Sequence, residues 1–319
     1  MRVLRPLAEL DVDREPPAAA QDGEPRRLAR TELPADDPDH VLGASNRATV
    51  DLEDHVSASP DGGAVEVDLA IAADAETTLP SLIEACRKFI TGDRRRVFDA
   101  RGARLADASK RIQGQALQDA AWGWDSSPIT TAQMSAEIWN HIKNEDWSLV
   151  NDVVFQSFWP TRLWNFTKHY QFIGGHGAYG VGYNAPAAVG AALANRKYGR
   201  LTVNIQSDGD LNYAPGVLWT AAHHRIPILN IMHNNRAYHQ ERMYVADMAA
   251  RAQRDVSRAG IGNDITDPNI DYAAMAKAYG MFSIGPIEHP ADLGPAIKRG
   301  IEVVKRGEPV MIDVVSESR

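Results

Sequence analysis

One cysteine, Cys86, stands in 319 residues, so the chain has neither an internal disulfide nor the makings of a cysteine-ligated metal cluster. No apolar run approaches the length of a membrane-spanning helix, and the N-terminal MRVLRPLAELDVDREPP lacks the apolar core of a signal peptide. Positive charge is in deficit: 42 Asp and Glu stand against 34 Lys and Arg, a formal net charge of -8. That balance argues against a nucleic-acid partner and supplies no basic patch for a membrane surface. These absences leave a cytoplasmic protein as the reading. Aromatic residues are scarce at first, with only Phe89 and Phe98 among the first 120 residues. No internal repeat is present.

Composition divides what remains. Residues 1–62 are rich in Pro, Asp, Glu, Arg and Ala, with little periodicity. Such a stretch buries too little apolar surface to offset its ordering entropy, and it reads as an extended or disordered arm. Within 63–92, residues 65–71 (VEVDLAI) alternate like a strand, and 79–90 (LPSLIEACRKFI) have amphipathic helical spacing. Residues 93–125 are charged and read as a helical or extended linker. From Ser126 the pattern strengthens. Thr130 and Gln133 form a capping-box pair ahead of Met134, Ile138, Trp139 and Ile142, which mark one helical face. Residues 147–155 (WSLVNDVVF) read as the first buried strand. A helix after Tyr272 stops at Gly280, a final helix spans 290–305, and 310–315 (VMIDVV) closes the sheet. Hydrophobic residues at 44% suffice for a core. Strands alternating with helices predict an α/β, doubly wound domain over 126–319, its sheet mostly parallel with helices on both faces.

The chemistry concentrates at two strand ends. Ser207-Asp208-Gly209-Asp210 closes the run 201–206 (LTVNIQ), and Asn234-Asn235 closes 226–232 (IPILNIM). Between them 214–225 (APGVLWTAAHHR) reads as a helix, so the two strands are parallel neighbours of a β-α-β unit. Ligands of open parallel sheets bind just beyond the carboxyl ends of the strands. A carboxylate and a carboxamide emerge side by side at that edge. Hard oxygen donors there suit Mg2+, which also takes phosphate oxygens from a bound molecule. The residues read as a metal–diphosphate site.

A second motif competes. Gly175-His176-Gly177-Ala178-Tyr179-Gly180 fits the dinucleotide fingerprint G-x-G-x-x-G, and Asn184-Ala185-Pro186 opens an Ala-rich helix. A nicotinamide-binding domain wants an acid about 20 positions on, at the end of the next strand. Tyr198, Gly199 and Arg200 stand there instead, ahead of the strand, and the acid at that strand's end is Asp208. His223-His224 have no carboxylate at metal spacing and read as structural.

Asp-Gly followed some two dozen residues later by Asn-Asn resembles the Mg2+–thiamine diphosphate motif of the acetolactate synthase and pyruvate decarboxylase superfamily. That family begins the motif Gly-Asp-Gly, where this chain has Ser207. The resemblance implies that Asp208 and Asn235 give Mg2+ side-chain oxygens and Ala237 gives a backbone carbonyl. The cofactor's diphosphate and a water would complete the octahedron. It further implies that Gly177, Ala178 and Tyr179 line the cofactor together with Gly209 and Asp210. Gly177 and Gly209 would let the backbone approach the diphosphate closely. Tyr179 falls where the family carries the bulky side chain that bends the cofactor into a V. The family uses an aliphatic wedge there, and a tyrosine hydroxyl needs a partner or faces the substrate; a buried aromatic between helix and sheet is the other reading. His176 faces the thiazolium ring or is an ordinary histidine. Glu241 matches an acid of the decarboxylating members, and is equally a favourable carboxylate at a helix N-terminus. Residues 242–266 read as a mobile flap over the site.

The resemblance covers 126–319 well, takes 63–92 as a remnant of the family's central domain, and leaves 1–62 unmatched. It implies decarboxylation or carboligation of a small 2-oxo acid, or both, with thiamine diphosphate and Mg2+. The family's activating glutamate belongs to a pyrimidine-binding domain, for which the first 125 residues are too short and too polar. The chain therefore reads as the diphosphate-binding half, needing a partner polypeptide that supplies that glutamate; a homo-oligomer, a separate pyrimidine-binding subunit, or both are the expected partners. Three readings stand: that half-enzyme, a homologue that binds cofactor or partner without catalysis, and an NAD-dependent dehydrogenase.

Overall fold

The computed structural model describes residues 71, 73–150, 158–173 and 181–317. The chain divides into two compact units, Met1–Phe89 and Ile90–Arg319. In the first, the described residues form α1 (Ala75–Lys88), whose N-cap Asp74 accepts a hydrogen bond from Thr77 N at 2.9 Å. That cap starts the helix earlier than the apolar spacing of 79–90 suggested. The strand expected over 65–71 lies outside the described residues, apart from Ile71.

The second unit opens with α2 (Gly92–Ala120), so the charged segment 93–125 is mainly helical. Thr91 caps it, and only Ala116 and Ala120 of its residues are buried. The α/β body begins with α3 (Thr131–Ile142), β1 (Trp147–Val150), α4 (Trp159–Leu163) and β2 (Phe172–Ile173). It continues through α5 (Asn184–Asn195), β3 (Leu201–Ser207), α6 (Asp208–Leu211), α7 (Val217–His223) and β4 (Leu229–Asn234). It ends with α8 (His239–Arg251), α9 (Tyr272–Ala278), β5 (Phe282–Ile287), α10 (Pro290–Lys305) and β6 (Val310–Val315). Among the described residues no helix is long and apolar enough to cross a membrane.

Among the described residues six strands run in the order β2-β1-β3-β4-β6-β5, each paired in parallel with its neighbours. The chain moves outward from β1 to β2 and then crosses back to β3. Strand order therefore reverses at β1/β3, which opens a crevice at the carboxyl edge. Alternation assigns the faces. One face presents Trp147, Leu149, Val203, Ile205, Leu229, Ile231, Val310 and Ile312 to a core shared with Met134, Ile138 and Ile142 of α3 and Ile297 and Ile301 of α10. The opposite face meets α5, α7 and α9 through Val150, Met232 and Met311.

That opposite face also carries Thr202, Asn204, Gln206, Asn230 and Asp313, all buried. Burying amides is tolerable only when they are hydrogen-bonded, and these bridge the strands. Asn204 Nδ2 donates to Asn230 Oδ1 at 2.9 Å, and Asn230 Nδ2 donates to Val310 O at 3.1 Å. The polar half of the alternation in LTVNIQ is thus an interior ladder rather than a solvent face.

Three expectations need correction. Residues 310–315 do not close the sheet: β6 lies between β4 and β5, and β5 is the edge. Residues 282–287 (FSIGPI) carried no strand signal because Gly285 and Pro286 interrupt the pattern; Pro lacks an N–H and is tolerated on an edge strand. The helix over 214–225 is trimmed to α7 by the Ala214-Pro215-Gly216 turn, and β4 starts beyond Pro227. The capping box is half formed: Thr130 Oγ1 accepts from Gln133 N at 3.1 Å, but the Gln133 side-chain oxygen is buried without a partner. By contrast α10 spans 290–305 as read, and Gly280 ends the α9 turn at φ 91°.

Candidate cofactor and metal site

Asp208 leaves the carboxyl end of β3 as the first residue of α6 and is only 1% exposed. Its Oδ1 accepts from Gly209 N at 2.8 Å and its Oδ2 from Arg236 N at 2.6 Å. Burial pushes its carboxyl up to about 7, against the N–H groups of Gly209, Arg236 and Ala237, which pull the other way. No cationic side chain is among these leading influences. A carboxylate held this deep without a cation is costly to ionise.

The second strand end turns back on the first. Arg236 adopts φ 59°, a left-handed conformation that costs a non-glycine residue about 1–2 kcal/mol. The turn it makes aims its own N–H at Asp208 and lets Asn235 Oδ1 accept from Ala237 N at 3.0 Å. Asn235, Arg236 and Ala237 therefore form a compact turn directly against the Asp208 carboxylate. The return of the chain pins this turn: Ile265 N donates to Arg236 O at 2.8 Å, and Tyr238 N to Asn263 O at 2.7 Å. The segment expected as a flap over 242–266 is accordingly helical, holding most of α8 and a 3-10 turn at Val256–Gly260, and its end is hydrogen-bonded to the turn after β4.

The other candidates are placed as follows. Gly209 carries the Tyr238 ring on its Cα: a methyl there would stand 2.5 Å from Tyr238 Cε1. Asp210 Oδ1 accepts from Gly182 N at 2.6 Å and Oδ2 from Gln206 Nε2 at 2.8 Å. It fastens the chain entering α5 to the end of β3. Glu241 lies exposed in the first turn of α8. His176, Gly177, Ala178 and Tyr179 lie outside the described residues. His223 and His224 are exposed, with His223 stacked on Trp219 at 4.6 Å.

Replacing Gly209 by Ala forces the methyl into the Tyr238 ring. Overpacking of this kind costs about 1–3 kcal/mol. Urea unfolding of Gly209→Ala is expected to show that loss, and adding Tyr238→Ala is expected to recover part of it. An unchanged midpoint in the single variant would mean the ring moves aside freely.

A network behind the site escaped the sequence reading. Asn234, the residue before Asn235, donates through Nδ2 to Asp313 Oδ1 at 3.0 Å. Asp313 Oδ2 accepts from Tyr272 N at 3.0 Å. The Tyr272 hydroxyl lies 3.3 Å from both Asp208 O and Asn212 Oδ1, donating to one at a time. Burial pushes the Tyr272 phenol well above its ordinary range, so it stays a donor. The available signal was Asp313 itself, an acid inside the otherwise apolar VMIDVV.

The donor set fits a hard divalent cation with a phosphate-bearing cofactor. Among the described residues no group of three or more His, Cys, Asp or Glu could hold a metal alone. The edge instead offers one buried carboxylate in need of a counter-charge, one carboxamide oxygen and a backbone turn. Such a half-shell suits Mg2+, which retains waters and takes phosphate oxygens from its partner.

Comparison with known proteins agrees with this chemistry. Residues 152–314 match the profile described as thiamine pyrophosphate enzyme, C-terminal TPP binding domain. A benzoylformate decarboxylase of Pseudomonas aeruginosa is 31% identical over 141 residues, 44% of this chain and 24% of that protein. The acetolactate synthase isozyme 3 large subunit of Escherichia coli is 24% identical over 202 residues, 63% of this chain and 33% of that protein. The chain thus spans a third or less of the length of these curated relatives. A solved thiamine diphosphate-dependent 4-hydroxybenzoylformate decarboxylase from Rhodococcus jostii RHA1 superposes with a TM-score of 0.51 at 24% identity, covering 60% of this chain and 33% of that one. At that identity the likeness establishes the fold alone.

Proposed function

Since the chain belongs to the thiamine pyrophosphate enzyme family through its C-terminal TPP-binding domain, we propose that it is the Mg2+- and diphosphate-binding half of an enzyme that decarboxylates a 2-oxo acid or joins it to a second carbonyl compound. The observation that carries this reading is the 2.6 Å bond from Arg236 N to Asp208 Oδ2, which gathers Asp208 and the Asn235–Ala237 turn at one point of the carboxyl edge. Thiamine diphosphate, when bound, supplies the carbon nucleophile and electron sink that loss of carbon dioxide requires.

The chain's own residues do the rest. Asp208 and Asn235 present side-chain oxygens to the metal, and Ala237 presents its carbonyl. Gly209 and the Gly177–Ala178 backbone hold the diphosphate, and Asp210 anchors the peptide that follows this glycine-rich turn through Gly182 N. Tyr179 would be the side chain that bends the cofactor, and Glu241 and His176 would handle protons at the substrate. Both reaction types occur among the relatives' names, a decarboxylase and an acetolactate synthase. The activating glutamate comes from a pyrimidine-binding domain on a partner polypeptide. Support for this reading is that the matched profile is that of a TPP-binding domain and that residues 1–125 are too polar to read as a second such domain. Neither the family profile nor the relatives support a nicotinamide reading.

The test is carbon dioxide release from pyruvate and from benzoylformate, with thiamine diphosphate and Mg2+. The chain is assayed alone and with a pyrimidine-binding polypeptide encoded beside it. Turnover that requires both polypeptides supports the reading. Full turnover by the chain alone contradicts the half-enzyme, and none in either arm reduces it to cofactor binding without catalysis.

A further inference from the structure

Two strand ends carry the residues read as metal ligands, and nothing in the backbone of β3 and β4 fixes how far apart those ends stand beyond Ser207↔His233, the last paired position of their ladder. Past that point Asp208 enters α6 and Asn235 enters a left-handed turn. Backbone bonds hold the turn after β4, with Ile265 N on Arg236 O at 2.8 Å and Ser316 N on Asn234 O at 3.0 Å, and buried side chains behind the edge add a second tie between the two ligands. We infer that Asp313 is a positioning residue for the metal site, acting through Asn234 on one side and Tyr272 on the other; the inference rests on the proposed reading of Asp208 and Asn235.

The route is continuous and short. Asp313 faces the same side of the sheet as Asn234 and Met232, because Met232↔Asp313 and Asn234↔Val315 are register pairs of parallel strands. One carboxylate oxygen takes Asn234 Nδ2 at 3.0 Å, which holds the peptide leading into Asn235. The other takes Tyr272 N at 3.0 Å, which fixes the start of α9. From there the Tyr272 ring, 1% exposed, reaches the Asp208 carbonyl with its hydroxyl at 3.3 Å. A single fully buried carboxylate on β6 thereby ties the peptide of one ligand to the neighbour of the other, without touching metal or cofactor. The edge strand lies close against this position: a Cβ on Gly285 would come within 2.5 Å of Asp313 O.

Supporting residues that orient ligands typically change metal affinity by about 10- to 100-fold when removed. Asp313→Ala is expected to raise the Mg2+ concentration for half-maximal thiamine diphosphate binding by about that factor. Asp313→Asn should stay close to wild type: its oxygen can accept from Tyr272 N, and its amide can donate to a flipped Asn234 side chain. Tyr272→Phe, which deletes only the hydroxyl, should raise the requirement about 10-fold. It also keeps the question decidable should Asp313→Ala fail to fold. Trp147→Ala, destabilised far from the edge, is the control for general softening and should leave the Mg2+ requirement unchanged below its melting point. The titrations are calorimetric, on the purified full chain. If the wild type binds Mg2+ and thiamine diphosphate while Asp313→Ala or Tyr272→Phe binds equally well, the positioning role is wrong and the site reading survives. If Trp147→Ala shifts the requirement as much as they do, the role is general stability and the inference is likewise overturned. A wild type that binds nothing defeats the site reading itself, and the inference with it.

Discussion

Asp208→Ala is expected to abolish Mg2+-dependent binding of thiamine diphosphate while leaving the domain folded. The carboxylate is almost wholly buried where β3 ends, held by two backbone N–H groups at 2.8 and 2.6 Å. Without a cation its ionisation is held up to about 7. Removal has two opposed consequences for the fold. An ionisable group leaves a site that disfavours its charge, but the N–H groups of Gly209 and Arg236 lose their acceptor, at about 1–3 kcal/mol for a buried orphan. These effects largely offset, so melting without ligand should shift by only a few degrees. Binding has no such compensation. A loss beyond about 100-fold, or about 2.7 kcal/mol, is expected. Ligand at 100 times its dissociation constant stabilises a protein by about 2.7 kcal/mol. The wild type should therefore melt later with Mg2+ and thiamine diphosphate, and the variant should not. An equal shift in both proteins would remove Asp208 from the ligand set.

The second large effect lies in the core. Trp147 begins β1 at 1% exposure and meets three aromatic rings edge-on: Trp139 at 5.8 Å, Trp164 at 5.6 Å and Phe166 at 5.2 Å. Trp164 is itself fixed, its Nε1 donating to Ser135 O at 2.8 Å, so the cluster cannot collapse into the space a truncation leaves. Trp147→Ala is expected to cost about 3–5 kcal/mol, the usual range for an aromatic deleted from a rigid site. Against a total of about 5–15 kcal/mol for a folded domain, that is a large share. Urea unfolding should show a lower midpoint with an unchanged slope. A loss under about 1 kcal/mol would mean the neighbouring rings refill the cavity.

Much of this architecture was legible in the residues. Alternating apolar runs and Asp-Gly/Asn-Asn punctuation located β3, β4 and the edge where Asp208 meets the turn after β4, because parallel neighbours in a β-α-β unit need little beyond pattern and spacing. Helix α10 was legible to its ends, since Pro290 opens it and Gly307 follows it closely. Edge strand β5 was not, because Gly285-Pro286 reads as a turn wherever neighbouring strands are unknown. The amide ladder was hidden for a different reason: Asn204, Gln206 and Asn230 look like a wet face until the helices covering them are in place. Asp313 shares that property. A carboxylate in an apolar strand is conspicuous, but its partners Asn234 and Tyr272 lie 79 and 41 residues away, and only the fold brings them to it.

The central claim is that the carboxyl edge of β3 and β4 binds Mg2+ and thiamine diphosphate together. Calorimetric titration of the purified chain with thiamine diphosphate, once in Mg2+ and once in EDTA, tests it most directly. Saturable binding in Mg2+ that disappears in EDTA is the result this account expects. Binding that EDTA leaves intact, or no binding in either condition, would contradict it.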